Sequence, residues 1–224
     1  MNLTSSVPAG CGRSLPPYSK LHLAWRLPCS AHPDTPALSA LSSILGGGRS
    51  ARFYEKFHDR LGLVYSIEVH SNQSETDEGA FTISMDVDRA QRDKVRDLVL
   101  QELRNLAEED FTEDLKRVCK QTRVSRLRRR SSASGVASEM GADWFGSRNL
   151  NLSSEWQEAI ERVTTEDLHR VCSTWLSSPN VTEVSLDPPG SNAGDEERAS
   201  ASAGTALSEH VLGNGMKVVI REDH

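Results

Sequence analysis

Seven histidines are the side chains in this sequence best suited to bind a metal ion or to transfer protons. No two of them lie three to five residues apart, and the sequence contains neither H-x-x-E-H nor H-E-x-x-H. A catalytic zinc ion needs three protein ligands on rigid elements, and this spacing does not supply them. We therefore expect no metal ligand and no catalytic residue in this chain. The histidines are His22, His32, His58, His70, His169, His210 and His224.

The three glycines of Gly46–Gly48 could present backbone N–H groups to an anion. The surrounding residues lack the G-x-x-x-x-G-K-[ST] arrangement of a phosphate-binding loop, and no predicted strand precedes them. We therefore interpret the glycine run as a hinge between two helices. A serine nucleophile is not indicated either, because the sequence contains no G-x-S-x-G string.

The four cysteines Cys11, Cys29, Cys119 and Cys172 are scattered, and none forms a C-x-x-C pair. This spacing favours neither a zinc knuckle nor a redox dithiol, and a reducing compartment explains it most simply. The sequence has no run of about 18 apolar residues that would predict a membrane helix. Its first residues lack the basic and apolar regions of a secretory signal. We therefore expect no membrane association and favour a cytoplasmic location.

Eight basic residues and no acidic residue lie between Leu115 and Arg130. The preferred interpretation is a solvated helix face whose charges pair with acids elsewhere in the fold. Binding to an acidic partner or to RNA is the alternative, although the run has no aromatic residue for base stacking. The whole chain carries a net charge of −6, which argues against a dedicated nucleic-acid or anionic-membrane binder.

The spacing of apolar residues predicts strands and helices over most of the chain. Alternation of apolar and polar residues predicts strands, and a 3.6-residue period predicts helices. The predicted strands are 20–27, 64–70, 80–87 and 181–186, the middle two forming a hairpin. The predicted helices are 37–45, 50–61, 95–106, one from 112 to 130 or beyond, 154–163 and one that begins at Thr164 or Thr165. These elements together predict an α+β fold.

Several helix starts are predicted from residues that cap helices well. Asp34 or Thr35 is expected to cap the first helix, and Ser154–Gln157 has the form of a capping box. The strings TEDLKRVC at Thr112–Cys119 and TEDLHRVC at Thr165–Cys172 share seven of eight positions. We interpret both as a threonine cap followed by two acids that the helix dipole favours.

Polar segments divide the chain into four predicted regions. Residues 1–19 are a flexible lead-in, and residues 20–187 form the main domain. Residues 188–208 are rich in Pro, Gly, Ala, Ser and acids, which is typical of a linker. Residues 209–224 read as a β-hairpin around Asn214-Gly215, and a lone hairpin of that length is only marginally stable.

The segment Asp34–Tyr65 resembles a motif of the zinc metallopeptidases related to pitrilysin, insulinase and mitochondrial processing peptidase. The family motif reads roughly "LGGGxSSRLyxxlReexGLaYs". The matching residues are Leu45, Gly46, Gly47, Gly48, Ser50, Arg52, Tyr54, Leu63 and Tyr65. Residues 163–168 resemble the family's "vTxedv" helix start, and residues 210–224 are similar to the first strands of a family half.

This resemblance implies a two-layer α+β domain whose largely antiparallel, mixed sheet carries helices on one face. Complete family members repeat a two-domain half and close the halves around a peptide. Their zinc and H-x-x-E-H helix lie in the first domain of the active half. The chain then corresponds to the second, inactive domain of one half, followed by the opening strands of the next. By itself it is expected to bind no zinc and to cleave nothing.

The resemblance also implies two candidate substrate-binding residues, Tyr65 and His58. Family members have an Arg–Tyr pair, seven residues apart, that contacts the bound peptide in the non-catalytic half. Tyr65 matches the tyrosine, but His58 stands where the arginine would be. An imidazole lacks the forked donors of a guanidinium. The favoured alternative is that Tyr65 is a strand residue packing under the preceding helix.

The resemblance leads to one main functional hypothesis and one alternative. The main hypothesis is a chamber-forming, substrate-holding domain of a zinc endopeptidase, whose partners are a peptide and the rest of its polypeptide or a partner half. The alternative is a non-catalytic scaffold or peptide-binding subunit of the same fold. Exposed sheet edges and apolar faces also predict that the isolated chain self-associates.

Overall fold

A four-stranded antiparallel sheet forms one layer of the fold. The computed structural model describes residues 18–73, 78–106, 109–176 and 181–187, and the backbone of 207–211 and 217–221. The sheet strands are β1 (Ser19–Leu27), β2 (Val64–Asn72), β3 (Gly79–Val87) and β4 (Thr182–Leu186). Their order is β2-β3-β1-β4, and each neighbouring pair is antiparallel. The sequence allows a mixed sheet, but no parallel pair occurs among these four strands.

One face of the sheet is buried because apolar residues alternate along its strands. In β1, Leu21, Leu23, Trp25 and Leu27 are almost fully buried, whereas the residues between them are partly or fully exposed. β1 pairs with β3 along its whole length, and this register places Trp25 opposite Phe81. The two rings meet edge to face with centroids 6.5 Å apart. The predicted strand over 20–27 is confirmed.

Helices form the second layer. The α-helices are α1 (Thr35–Gly46), α2 (Arg92–Asn105), α3 (Thr112–Arg129), α4 (Ala133–Ser147), α5 (Leu152–Glu161) and α6 (Thr165–Val171). The shorter helices are the 3₁₀-turn Arg89–Gln91 and the π-helices Tyr54–Arg60 and Cys172–Leu176. Apolar side chains of α1, α2, α3 and α6 share one core with the sheet. The expected α+β fold, with helices packed against one face, is confirmed.

Three predicted helices differ from the structure. The helix expected over 50–61 is mainly a seven-residue π-helix, in which Leu61 N donates to Lys56 O at 3.1 Å. The sequence predicts no helix at Ala133–Ser147, where α4 forms. The capping box expected at Ser154–Gln157 is wrong, because α5 begins at Leu152 after Asn151.

The expected threonine caps of the two similar strings are also wrong. Thr112 is already helical, and its backbone N–H and hydroxyl both donate to Asp110 Oδ1, at 2.9 and 2.7 Å. In α6 the cap is Thr164, one residue earlier than the repeated string. Its hydroxyl and backbone N–H form a reciprocal capping box with Asp167. The same eight-residue pattern therefore begins two helices with different caps.

Two further strands belong to the second of the two units into which the chain divides, residues 189–224. Within it, β5 (Leu207–Val211) and β6 (Lys217–Arg221) pair antiparallel, as the strands of the expected hairpin would. β5 begins inside the segment that the sequence assigns to the linker. The expected Asn214-Gly215 turn lies outside the described residues, as do residues 1–17 of the lead-in. The assignment of this hairpin to a following half stays a prediction.

Candidate functional site

The glycine run ends α1 directly beside strand β2. A Cβ atom on Gly46 would lie 2.5 Å from Val69 Cβ and 2.6 Å from the Val69 backbone N. Only glycine therefore allows the helix to approach the strand this closely. Gly48 has a φ of 101°, a left-handed conformation that side chains disfavour. The run links α1 to the following π-helix, so it lies between two helices as predicted.

An open cavity of about 270 Å³ lies between the end of α1 and β2. Ser42 and Ser43 line it from the helix, and residues 69–72 line it from the strand. The Ser42 and Ser43 hydroxyls donate to Ser39 O at 2.9 and 3.0 Å, which leaves their oxygens able to accept. Ser71 Oγ is buried and has no hydrogen-bond partner among the described residues. The cavity wall therefore carries serine side chains from both the helix and the strand.

Within the sheet formed by β1 to β4, β2 is an edge strand, which leaves its backbone available beside this cavity. Among the described strands it pairs only with β3. An unpaired edge presents a row of backbone N–H and C=O groups. An extended peptide can hydrogen-bond to this row and so add one strand to the sheet. The opposite edge is β4, which has five residues and does not line this cavity. The longer edge with the polar cavity is the better candidate for peptide binding.

Tyr65 lies on β2 at a break in the strand register. The pairing with β3 shifts between Val64 and Ser66, as at a β-bulge. Bulges re-aim side chains, and Tyr65 is 62% exposed. Its ring lies 5.7 Å from the ring of Tyr18. The expectation that Tyr65 packs under the preceding helix is therefore wrong, because the bulge leaves its side chain largely in solvent.

His58 lies on the π-helix and has local partners. Its ring stacks on Tyr54, with centroids 4.4 Å apart, and Nδ1 lies 2.7 Å from Asp59 Oδ1. Within the described residues it makes no hydrogen bond or ring contact with Tyr65. The structure therefore gives the two sequence candidates separate surroundings, and their role in substrate binding stays a prediction.

Arg52, which follows the glycine run, has a structural role. Its Nη1 donates to Glu109 Oε2 at 3.0 Å, and its Nε donates to Asp114. Its guanidinium also lies 4.8 Å from the centre of the Phe111 ring. Arg52 therefore fixes the chain after the glycine run onto the α2–α3 connection.

Sequence reasoning missed a buried polar cluster at the start of α1. Asp34 or Thr35 is expected to cap α1, and Asp34 does occupy the N-cap position, but its side chain makes no cap hydrogen bond within the described residues. It accepts instead from Trp175 Nε1 at 3.0 Å and from Arg170. Burial opposes ionisation of Asp34, but these hydrogen bonds outweigh it and lower its pKa. No local pattern predicts this cluster, because its members lie far apart in the sequence.

Comparison with known proteins shows which family the chain resembles. Residues 11–121 match the family model described as the Peptidase M16 inactive domain. The chain resembles the pitrilysin and insulinase zinc metallopeptidases. The matched domain is the non-catalytic one, and the described residues contain no group of three or more metal-ligating side chains. No curated protein sequence matches the chain.

Solved structures of proteases share this inactive-domain fold. A protease from Helicobacter pylori aligns with a TM-score of 0.69 at 23% identity, covering 77% of this chain and 42% of its own. The peptidase M16 inactive domain structure from Pseudomonas fluorescens aligns with a TM-score of 0.65 at 20% identity. This alignment covers 77% of this chain and 41% of the Pseudomonas chain. The periplasmic protease PqqL from Escherichia coli aligns with a TM-score of 0.63 at 14% identity. This alignment covers 77% of this chain and 19% of PqqL. The chain thus spans less than half of each of these proteins.

Proposed function

We propose that this chain is a substrate-holding, chamber-forming domain of a zinc metalloendopeptidase and has no catalytic activity of its own. The observation that carries the proposal is the edge of β2, unpaired among the described strands, beside the polar cavity at the end of α1. An extended peptide satisfies such an edge through backbone hydrogen bonds and is held without regard to most of its side chains. This mode suits a domain that presents varied peptides to a catalytic site elsewhere.

The proposal assigns the zinc ion to another domain or chain. Catalysis would need an H-x-x-E-H helix, in which two histidines hold zinc and the glutamate activates water. That helix would lie in the rest of the polypeptide or in a partner half, so the partners of this domain are that region and the peptide. The match to an inactive domain supports placing catalysis in another region and peptide binding in this one.

Peptide binding is tested with the whole 224-residue chain and a fluorescein-labelled peptide rich in valine and threonine. A second peptide of the same sequence has alternate backbone nitrogens methylated, which removes the donors that strand addition needs. We expect the unmodified peptide to bind at least about tenfold more tightly than the methylated peptide, because the methylated peptide loses several backbone hydrogen bonds. Equal binding of the two peptides overturns the proposal.

A pair of variants locates the binding edge. Ser43→Phe fills the cavity at the end of α1, whereas Ser185→Phe adds the same ring to an exposed position on the opposite edge strand β4. We expect only Ser43→Phe to weaken binding of the unmodified peptide. Equal effects would place the peptide elsewhere.

Cellular location and self-association are further proposals. None of the described helices is long and apolar enough to cross a membrane. We propose a cytoplasmic location, although one structural neighbour is described as periplasmic. We also propose that the isolated chain self-associates through its free β2 edge. Sedimentation that finds only monomer at high concentration contradicts this.

A further inference from the structure

A second open groove, of about 410 Å³, lies between helices α3 and α5. Three α3 residues line it, Arg123, Arg126 and Leu127, together with Arg130, which directly follows the helix. They recur at helical spacing, so they form one stripe along the helix. None of them lines the cavity beside β2, and the proposed function does not use them.

Two of the three arginines share one acid, Glu139, whose side chain is 9% exposed. Arg126 Nη2 and Arg130 Nη1 both donate to Glu139 Oε1, at 3.0 and 2.7 Å. Arg126 Nη2 also donates to Ser154 Oγ at 2.6 Å. A single carboxylate thus faces two guanidinium groups. Arg126 Nε is buried and has no acceptor among the described residues.

The remaining groups of the stripe are available to a partner. Arg123 is exposed and forms no ion pair within the described part of the chain. Leu127 is 64% exposed between the two outer arginines. From α5, the groove is faced by Glu161, whose Oε1 accepts from Gln157 Nε2 at 2.9 Å. The groove therefore combines an excess of positive charge with an uncovered apolar side chain.

We propose that the α3–α5 groove binds an acidic protein segment that carries an aliphatic side chain between two carboxylates. One carboxylate pairs with Arg123 and the other with Arg130, while the aliphatic side chain packs on Leu127. Bidentate pairing makes arginine a better carboxylate ligand than a diffuse positive surface would be. Because the whole chain carries a net charge of −6, the positive charge of this groove is a local feature. None of the described residues that line the groove is aromatic, so none can stack on nucleic-acid bases.

The test measures fluorescence anisotropy of a labelled peptide of glutamate and leucine at helical spacing, titrated with the whole chain. One comparison ligand is the same peptide with every glutamate replaced by glutamine. The other is a single-stranded RNA oligonucleotide. Arg123→Gln and Leu127→Asn alter the stripe. Arg128→Gln is the matched control, because Arg128 is exposed on α3, has no ion pair among the described residues and does not line the groove.

We expect Arg123→Gln and Leu127→Asn each to weaken binding of the glutamate–leucine peptide about tenfold, and Arg128→Gln less than about twofold. Circular dichroism should show that all three variants retain the native helix content. Equal losses in Arg123→Gln and Arg128→Gln, tighter binding of the RNA, or no binding of the acidic peptide would each overturn the proposal. The β2-edge experiment uses a different peptide and different variants, so the two proposals fail independently.

Discussion

Asp34→Asn tests whether the buried cluster at the start of α1 stabilises the fold. The Asp34 side chain is only 6% exposed, and it accepts from Trp175 Nε1 and from Arg170. These contacts join α1 to residues more than 130 positions later in the chain. Asparagine keeps the volume of the side chain but removes its charge and one of its two acceptor oxygens.

The expected loss follows from the burial of each partner. Breaking a fully buried ion pair costs about 3–5 kcal/mol, whereas a hydrogen bond to a charged group contributes about 1.5–3 kcal/mol. Arg170 is 49% exposed, so solvent screens its share of the interaction. The indole of Trp175 keeps one acceptor if asparagine turns its carbonyl toward it. We therefore expect the free energy of unfolding to fall by about 2 kcal/mol at pH 7.

The stabilisation by Asp34 depends on pH, and the direction of that dependence follows from the pKa of its carboxyl group. Burial raises the pKa of Asp34, but the hydrogen bonds from Trp175 and Arg170 lower it further, to below its ordinary value of 3.8. The unfolded chain therefore binds the proton first as pH falls. The stabilisation is present above pH 3.8 and is lost as pH falls through the folded-state pKa. The difference between wild type and Asp34→Asn should thus shrink in acid.

Urea unfolding followed by tryptophan fluorescence measures the difference at pH 7, at pH 5 and in the acid range. Asp97→Asn is the control, because Asp97 is an exposed carboxylate paired with Arg96, and we expect it to cost less than about 0.5 kcal/mol. A loss for Asp34→Asn no larger than the control, or one that stays constant into acid, would refute the reasoning.

Two other predictions concern the core. Gly46→Ala places a methyl group against Val69 and should lower the free energy of unfolding by about 1–3 kcal/mol. A methyl group at Gly141 in α4 contacts no described residue, so Gly141→Ala should raise the free energy of unfolding by about 0.5–1 kcal/mol. Equal urea midpoints for these variants would contradict the packing argument. Burial raises the pKa of the Cys172 thiol to about 12, so iodoacetamide should label it only after unfolding, while half-buried Cys29 reacts in the native protein. Labelling of Cys172 at the rate of Cys29, measured by mass spectrometry, would contradict its burial.

Strands with one buried face were predictable because their side chains alternate with a period of two. β1 shows this pattern without interruption, and its burial follows the sequence residue by residue. Helix α4 lacks the corresponding signal, since its only fully buried residue is Asp143. That carboxylate accepts from the backbone N–H and hydroxyl of Ser153, at 3.1 and 2.6 Å, and so holds the start of α5. A helix stabilised by such a tertiary contact has no apolar stripe to predict it.

The candidate site was predictable only where its geometry is local. The glycine run at the end of α1 is evident in the sequence, because close approach and left-handed backbone select glycine. The open edge of β2 is not, since strand order depends on which strands pair across the fold. The exposure of Tyr65 depends on the register shift beside it, which alternation alone does not reveal.

The free edge of β2 is a hazard for a domain that has no partner, because unpaired strands also pair with each other. The bulge at Tyr65 disrupts one end of the strand, and the exposed Glu68 and His70 put polar side chains along it. At the other end, Ser71 leaves a buried hydroxyl unpartnered among the described residues, beside the cavity at Gly46. We therefore expect an added peptide strand to pair first along residues 69–72, where the edge is regular and the cavity can take its side chains.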